Sequence, residues 1–390
     1  MAHIMISCGE ASGDLYAGAL VEALRRAEPG VRAFGFGGEK LAAAGAELVG
    51  DYRGHTVTGL VEVIKHLPGT YRLYRHLVAT ARERRPDVFV AIDFPDFNFK
   101  LGQAIHALGI PVVYYISPQL WAWRPGRLRT MKAFVDRVLP IFPFEEKVYR
   151  DAGIPVEFVG HPLIDLARAQ DDRVTFLRGL GLRPDAPTVA LLPGSRPNEL
   201  REILPDLIAA ARLVRRDVPA AQFVLARAPR LADELLEPAM RARASGELPM
   251  AIVDGRADDV LAASDVVLTA SGTATVQTAL HERPMVIVYR LSKLTYAVGR
   301  PFVKIDTFGM VNLVAERKIA PELIQDDFTP ESAAREIVKL LTDEGARTRM
   351  IDAIRDVKRR LGGPGASHRA AAAILREVHA RAGKTLAAGH

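Results

Sequence analysis

Short apolar runs alternate with amphipathic helical patterns along nearly the whole chain. In the first half, the apolar runs predict strands at His3–Cys8, Arg32–Gly35, Val88–Ile92, Pro111–Ile116, Val138–Ile141 and Val156–Val159. The segments between them predict helices at Leu15–Arg26, Gly59–Arg84, Leu101–Leu108 and Glu145–Asp151. Strands that alternate with helices form a parallel sheet with helices on both faces. The first half therefore predicts a doubly wound α/β domain.

The same pattern begins again after a linker predicted at His161–Arg173, which ends in a charged run. The second half predicts strands at Thr188–Leu192, Gln222–Leu225, Met250–Val253, Asp265–Thr269 and Met285–Val288, and helices at Glu199–Arg215, Leu231–Arg243, Ala257–Ala263 and Thr273–Leu280. After Pro330 the pattern is helical only, with a break at Gly362–Gly365 before a last helix at Ser367–Ala382. We therefore predict two Rossmann-like domains, over residues 1–165 and 172–362, and a terminal helix within 365–390.

Composition excludes several classes of protein. With 49% hydrophobic and 25% charged residues, the 390-residue chain is ordinary for a globular protein and unlike disordered, collagenous or coiled-coil chains. The single cysteine, Cys8, excludes a disulfide framework within the chain, and without HExxH or paired histidines we expect no metal site. We expect neither a membrane-spanning segment nor a signal peptide. The net charge of +6 suits a phosphorylated ligand, an anionic membrane or nucleic acid, and no nucleic-acid motif appears.

Two turns in the second half have the construction of phosphate sites. Each follows an apolar strand and opens a helix, so that backbone N–H groups and the helix dipole face an anion. Arg196 can also place its guanidinium on phosphate oxygens. Two such turns suit a diphosphate better than a single phosphate. The candidate contacts in and after these turns are Gly194, Ser195, Arg196, Ser271, Gly272, Thr273 and Gln277.

Asp93 follows the strongly apolar strand Val88–Ile92. Ligands of open α/β sheets bind outside the carboxyl ends of strands, and we expect the ligand cleft between the two domains. A carboxylate at that position suits a general base. Asp96 is more simply the cap of the helix that follows.

Three further segments leave two interpretations open each. The turn Gly9–Asp14 suits either a ligand or a plain turn in which Ser12 or Asp14 caps the next helix. The segment Ser117–Arg124, with two tryptophans near several cations, suits either a sugar phosphate or a packed loop. The basic, amphipathic segment Gly59–Tyr74 suits either an anionic membrane surface or the protein core.

Together the motifs resemble lipid-A-disaccharide synthase, a family of bacterial glycosyltransferases. The motifs occur in order as GEASGD at Gly9–Asp14, DFPDFN at Asp93–Asn98, SPQLWAWR at Ser117–Arg124, FPFE at Phe142–Glu145, VGHP at Val159–Pro162, LLPGSR at Leu191–Arg196, ASGTAT at Ala270–Thr275 and PELIQ at Pro321–Gln325. The resemblance implies the GT-B fold, with the acceptor on the N-terminal domain, UDP on the C-terminal domain and a central cleft. It also implies a last helix that packs back on the N-terminal domain.

The resemblance implies an inverting transfer of 2,3-diacylglucosamine from UDP to 2,3-diacylglucosamine 1-phosphate, through a β-1,6 bond and without metal or cofactor. Asp93 and Arg196 would be catalytic and Asn312 would join the nucleotide site. The residues expected on the side of the acceptor, the donor sugar or the lipid are Glu10, Ser12, Asp14, Asn98, Ser117, Trp123, Arg124 and His161. The chain departs from the family at Gln277, where glutamate is usual, in the segment Met310–Asn312, and at Glu316, where glycine is usual.

The expected partners are UDP-diacylglucosamine, diacylglucosamine 1-phosphate and an anionic membrane surface, with a homodimer also open. The expected location is the cytoplasmic face of the inner membrane of a Gram-negative-type bacterium. Two alternatives stay open: another UDP-sugar enzyme of this fold, such as a UDP-N-acetylglucosamine epimerase, and a nucleotide-sugar binding protein without turnover. The base expected at Asp93 argues against the second, since binding alone needs no base.

Overall fold

The computed structural model describes residues 1–52, 60–118, 120, 126–229, 231–291 and 307–387, without the side chains of residues 60–67 and 382–387. The chain divides into two compact units. Unit 1 comprises Met1–Ile164 with Leu361–His390, and unit 2 comprises Asp165–Arg360. The predicted pair of Rossmann-like α/β domains is confirmed, because each unit is built on one parallel sheet flanked by helices.

The sheet of unit 1 has the strand order β3-β2-β1-β4-β5-β6, all parallel. Its strands are β1 (His3–Cys8), β2 (Arg32–Gly37), β3 (Glu47–Asp51), β4 (Val88–Ile92), β5 (Val112–Tyr115) and β6 (Arg137–Leu139). Its helices are α1 (Ala11–Ala27), α2 (Glu39–Ala43), α3 (Leu60–Arg84), α4 (Pro95–His106), α5 (Arg127–Lys132), α6 (Pro143–Asp151), α7 (Leu163–Leu166, at the boundary of the units) and the terminal α16 (Ala366–Ala387). Every residue of β4 and β5 is buried, as expected for strands covered on both faces.

The sheet of unit 2 has the strand order β12-β11-β10-β7-β8-β9, also parallel. Its strands are β7 (Thr188–Leu192), β8 (Gln222–Arg227), β9 (Met250–Asp254), β10 (Val266–Ala270), β11 (Met285–Tyr289) and β12 (Glu322–Ile324). Its helices are α8 (Arg173–Gly179), α9 (Pro197–Asp217), α10 (Glu237–Ala244), α11 (Ala257–Ala263), α12 (Thr273–Leu280), α13 (Met310–Ala315), α14 (Pro330–Thr342) and α15 (Glu344–Arg360). Short 3-10 turns occur at Asp233–Leu236 and Gln325–Asp327.

Each strand order reverses direction at one point, and that point is where ligands of such sheets bind. In unit 1 the reversal lies between β1 and β4, so the segments that begin at Gly9 and Asp93 flank it. In unit 2 it lies between β7 and β10, so the segments that begin at Pro193 and Ser271 flank it. The topology therefore places four of the sequence motifs at the two expected ligand positions.

The last helix packs against α1 within unit 1. Small and aliphatic side chains such as Ala370 and Ile374 form its buried face, which permits close approach to α1. Arg376 pairs with both carboxylate oxygens of Glu157 at 2.7 and 2.8 Å, and Arg381 donates to Asp136 at 2.6 Å. The amino end is fixed by the backbone, since the N–H of His161 donates to the carbonyl of Leu361.

Several predicted elements were wrong. Val156–Val159 forms only an isolated bridge from Val156 to Val138, and the predicted linker at His161–Arg173 contains the short helix α7 and the first residue of α8. The strands β3 and β12 were not predicted, because an edge strand has one partner and can be short and polar. Leu231–Arg243 divides into a 3-10 turn and α10, with Pro238 near the start of α10.

Candidate functional site

The carboxyl edge of unit 1 has an unusual backbone. Asp93 and Phe94 have φ of +45° and +51°, and Ile116 after the neighbouring β5 has φ of +58°. Asp93 and Ile116 are joined directly, since the Asp93 N–H donates to the Ile116 carbonyl at 3.1 Å. Left-handed backbone at residues other than glycine costs about 1 kcal/mol or more and is concentrated at functional sites. The strain therefore marks the half-buried Asp93 as a candidate functional residue.

Two buried side chains hold the backbone of Asp93. The Asn98 amide nitrogen lies 2.9 Å from the Asp93 carbonyl and 3.2 Å from that of Ile92, and its oxygen accepts from the Ser7 hydroxyl at 2.7 Å. The Tyr114 hydroxyl donates to the same Asp93 carbonyl at 2.9 Å. Burial, and then the Asp93 charge, raise the pKa of Tyr114, so its phenol remains a neutral donor. Because Asn98 is fully buried, its expected direct contact with a substrate is revised to support of Asp93.

Glu10 and Asp93 follow the ends of two neighbouring strands. Cys8, the last residue of β1, pairs with Ile92, the last residue of β4. The two turns touch closely: a Cβ at Gly9 would lie 2.3 Å from the Phe94 ring, so only glycine fits. Glu10 is half-buried, as is Ser12 in the first turn of α1. The structure thus brings two of the predicted carboxylates to neighbouring strand ends.

Asp14 has a structural role instead of the expected contact with a ligand. Its carboxylate is buried and accepts from the backbone N–H groups of Gly38, Lys40 and Leu41 at 2.8, 2.9 and 3.1 Å. These donors open α2, so Asp14 caps α2 and not its own helix. The expectation that Ser12 or Asp14 caps α1 was wrong, because Glu10 is the N-cap residue and makes no side-chain cap.

His161 is also buried, so it is revised from a direct ligand to a packing residue. Its Nδ1 accepts from the Leu163 N–H at 3.2 Å, and its ring packs edge-on against Tyr16 at 6.0 Å between centroids. Burial lowers the pKa of His161 to about 3, so the ring is neutral at ordinary pH. Burial, then Tyr115 and Asp93, raise the pKa of Tyr16, so this phenol is neutral too and lies near Asp93.

The lowered pKa of His161 predicts how the stability of the folded protein depends on pH. Below its unfolded pKa of about 6.5, the unfolded chain binds a proton that the folded chain excludes. Stability from this group is therefore complete above pH 6.5 and is lost as pH falls towards 3. Between pH 7.5 and 5 we expect His161 to lower the free energy of unfolding by about 2 kcal/mol. His161→Asn should lack this part of the pH dependence. Denaturant unfolding at both pH values measures it, with the exposed His368→Asn as the control; an equal pH dependence in His161→Asn would contradict the prediction.

Ser117, Trp123 and Arg124 follow β5 in the sequence. Ser117 is 7% exposed, so little of its side chain is available to a ligand. Trp123 and Arg124 lie outside the described residues, so their predicted roles stay predictions. Of the cations that follow, Arg127 pairs with Asp96 at 2.7 Å, while Arg129 and Lys132 are exposed.

The first phosphate-type turn of unit 2 is already occupied by a carboxylate. Glu199, in the first turn of α9, accepts from the N–H groups of Ser195 and Arg196 at 3.1 and 3.3 Å, and it pairs with the Arg196 guanidinium at 3.1 Å. Gly194 has φ of +110°, and a Cβ there would lie 2.5 Å from Glu199 Oε2. Sequence reasoning missed Glu199, although an acidic residue at the third helical position after Pro197 is a recognisable N-terminal signal.

The second phosphate-type turn is open. Both donors of Ser271 bond within unit 2. Its N–H donates to the Val288 carbonyl and its hydroxyl donates to the Phe308 carbonyl, both at 2.9 Å. The N–H groups of Gly272 and Thr273, by contrast, find no acceptor among the residues that the structure describes. Gly272 has φ of +137° and no heavy atom within 4 Å of the position of a Cβ. Unpaired N–H donors at the start of a helix, with open space in front of them, are suited to bind an anion.

Gln277 lies one turn further along α12 and contacts a carboxylate that the sequence did not reveal. Its amide nitrogen donates to Asp258 Oδ1 at 2.8 Å, and His281 Nε2 lies 2.8 Å from the same oxygen. Asp258 is in the first turn of α11, and its side chain is 24% exposed. The amide oxygen of Gln277 is left to accept a hydrogen bond, in the orientation that the Asp258 contact favours.

Gln277→Glu is expected to destabilise the protein and to leave UDP affinity unimproved. The new carboxylate would face Asp258 across a distance that is now a hydrogen bond of 2.8 Å, which costs about 1–2 kcal/mol. The double variant Gln277→Glu/Asp258→Asn restores a donor–acceptor pair and should recover the melting temperature. Thermal unfolding and UDP calorimetry on both variants check this, and a single variant with unchanged melting temperature would contradict the contact.

Asn312 is buried and fully used within unit 2. Its amide nitrogen donates to the Ala320 carbonyl at 2.9 Å and to Glu322 at 2.7 Å, and its oxygen accepts from the N–H groups of Ile319 and Ala320 at 2.8 and 2.9 Å. These bonds fill the hydrogen-bonding capacity of an amide, so the expected contact with nucleotide is revised to closure of the segment after α13. Glu316 ends α13 with φ of +56°, which explains why glycine suits this position.

No group of three or more potential metal-ligating side chains occurs among the described residues. Within the same part of the chain, no helix has the length and apolar character needed to cross a bilayer.

Two Rossmann-like units, each built on a doubly wound parallel sheet, are the construction shared by GT-B glycosyltransferases and their epimerase relatives. Solved structures of similar fold include the UDP-GlcNAc 2-epimerase from Neisseria meningitidis bound to UDP-GlcNAc, with a TM-score of 0.65 and 12% identity over 96% of this chain and 100% of that one. CalG4, the calicheamicin glycosyltransferase, matches with a TM-score of 0.60 and 19% identity over 98% and 99%.

The sequence profile of the Lipid-A-disaccharide synthetase family matches residues 4–375. The Lipid-A-disaccharide synthase of Myxococcus xanthus (strain DK1622) is 44% identical over 96% of this chain and 97% of its own length. That of Syntrophus aciditrophicus (strain SB) is 42% identical over 95% and 97%. The chain therefore belongs to the lipid-A-disaccharide synthase family and is a glycosyltransferase of the hexosyltransferase type, which confirms the resemblance.

Proposed function

We propose that the enzyme transfers 2,3-diacylglucosamine from UDP to the 6-hydroxyl of 2,3-diacylglucosamine 1-phosphate. The reaction forms a β-1,6 bond with inversion and releases UDP. The observation that carries the proposal is the carboxylate of Asp93, fixed by a left-handed backbone at the strand reversal of unit 1 in a chain of this family. A glycosyltransferase that inverts needs one base on the acceptor side and no covalent intermediate.

Asp93 is the general base in this proposal. Its carboxylate takes the proton of the acceptor hydroxyl as the oxygen attacks the anomeric carbon of the donor, while the bond to the diphosphate breaks. Asn98 and Tyr114 fix the backbone of Asp93, and positioning within a fraction of an ångström is what makes such a base effective. In this proposal Glu10, which follows the adjacent strand β1, accepts a hydrogen bond from the acceptor sugar.

Unit 2 holds the leaving UDP in this proposal. The N–H groups of Gly272 and Thr273 and the amino end of α12 receive the diphosphate. Arg196 supplies the positive charge that stabilises the leaving group, and Glu199 now holds its guanidinium and the neighbouring N–H groups. The phosphate of the donor therefore has to displace part of the contact that Glu199 makes.

Peripheral binding to the inner face of an anionic membrane completes the proposal. On α3, Tyr71 is 59% exposed and stacks on Tyr74 with ring centroids 6.3 Å apart. Arg72 and Arg75 are exposed beside them. Tyr74 is half-buried, so Tyr71 supplies the exposed aromatic ring, and such a ring next to cations is typical of helices that lie in a membrane interface.

Release of UDP with acylated and non-acylated donors, with and without the acceptor, tests the function. We expect release only with the acylated donor and only when diacylglucosamine 1-phosphate is present, together with a new disaccharide. Release that does not depend on the acceptor, or epimerisation of UDP-N-acetylglucosamine, would favour a different UDP-sugar enzyme of this fold. Binding of the donor without any product would favour a binding protein.

A further inference from the structure

An open cleft of about 390 Å³ lies in unit 2, away from the strand reversal. It is formed by the segment before β12 and by the facing sides of α14 and α15. Because the strands are parallel, the amino end of β12 lies at the edge opposite the turns after β7 and β10. The cleft is therefore separate from the place proposed for UDP.

Four cations line this cleft: Arg317, Lys318, Lys339 and Arg349, against one carboxylate, Glu336. All four are exposed, and none makes an ion pair or side-chain hydrogen bond with a residue that the structure describes. Four other cations on α15, Arg355, Lys358, Arg359 and Arg360, are paired with carboxylates, whereas Arg347 is not paired with any described residue. Arg355 and Lys358 both pair with Glu282 at 2.9 Å, and Arg360 pairs with Asp356 at 2.9 Å.

The floor of the cleft is apolar. Leu340 is 2% exposed, and Met350 is 8% exposed, with its sulfur 3.3 Å from the Met285 N–H at the start of β11. Small-molecule sites combine apolar lining with a few polar or charged groups, and the volume of this cleft lies within the range of about 300–1,000 Å³ for such sites. The opening suits a ligand with a hydrocarbon part next to an anion.

We propose that this cleft binds a phosphate-bearing ligand of the glycerol phosphate type, apart from the reaction site. Clustered cations without partners repel each other, and a multiply charged anion removes that repulsion. Both Arg and Lys bind phosphate. The forked N–H groups of Arg match the spacing of two phosphate oxygens. The headgroup of an anionic phospholipid and a free phosphate ester share this chemistry, so the experiment includes a probe for each source.

Binding is measured with saturating UDP in every sample, so that the proposed transferase site is blocked. The soluble probe is glycerol 3-phosphate, followed by calorimetry. The membrane probe is sedimentation with phosphatidylglycerol–phosphatidylcholine vesicles, compared with phosphatidylcholine alone. Lys318→Gln/Arg349→Gln removes two cleft charges, and Arg178→Gln/Arg243→Gln is the matched control, since these arginines are exposed elsewhere in unit 2.

We expect the cleft variant to lose at least tenfold in affinity for one of the two probes, while the control changes less than twofold. A lower affinity for glycerol 3-phosphate would identify the ligand as a free phosphate ester. A lower affinity for anionic vesicles alone would identify it as a lipid headgroup. Equal affinities of wild type, cleft variant and control for both probes would overturn the proposal, as would an equal loss in both variants. UDP affinity and melting temperature, measured alongside, separate this result from misfolding and from a failure of the proposed transferase function.

Discussion

Asp93→Asn is expected to lower kcat by about 10²–10⁴ while UDP affinity stays unchanged. The variant removes the base but keeps the size of the side chain. Asparagine also tolerates the φ of +45° at this position better than most residues, so the backbone strain is not increased. The loss of rate therefore reports the missing carboxylate and not a distorted turn.

Steady-state kinetics with the acylated donor, together with UDP calorimetry, measures this effect. Asp96→Asn is the matched control, because Asp96 is exposed, pairs with Arg127 and lies three residues away on α4. Its kcat should fall by less than a factor of three. Turnover of Asp93→Asn close to that of the wild type would remove Asp93 from the mechanism.

Arg196→Ala is expected to weaken UDP binding by about 10–100-fold and to lower kcat/KM at least as much. A hydrogen bond to a charged group contributes about 1.5–3 kcal/mol, and the diphosphate is present in both the bound state and the transition state. Arg196→Lys should recover little of the affinity, since an ammonium lacks the fork of a guanidinium. Arg201→Ala is the control, because Arg201 lies on α9, the helix that follows Arg196, and its guanidinium donates to Asn198.

Glu199→Gln gives a second test of whether the turn before α9 binds the diphosphate. The amide keeps an acceptor for the N–H groups of Ser195 and Arg196, but it removes the negative charge that a diphosphate would meet. UDP affinity should therefore rise several-fold in Glu199→Gln. Unchanged affinity in both Arg196→Ala and Glu199→Gln would place the diphosphate elsewhere.

Much of the fold was predictable because its signals are local. A parallel strand covered on both faces must be apolar throughout, so β4 and β7 can be recognised from their residues alone. Edge strands such as β3 and β12 lack that requirement, since one side has no neighbouring strand and their side chains are half-exposed. Their pairing depends on segments distant in the sequence, which no local pattern reports.

The sequence also located the motifs of the candidate site, because a glycine- and serine-rich turn between a strand and a helix is a local feature. It did not tell which polar side chain of a motif faces a ligand. Asp14 and Asp93 both follow strands, yet Asp14 accepts from the backbone of residues 38–41 while Asp93 lies at a strained strand end. Sequence reasoning likewise missed Glu199 and Asp258, whose importance comes from contacts with Arg196 and Gln277.

By itself, then, the sequence determined the two doubly wound sheets, the turns that end their central strands and the family of the chain. Only the tertiary structure decided that Asn98 and Asn312 support the backbone, that one phosphate-type turn is filled by Glu199 and that the other is open. The physical reason is that a hydrogen-bonding group must be satisfied wherever it is buried. Its partner is set by elements brought together from distant parts of the chain, and not by its sequence neighbours.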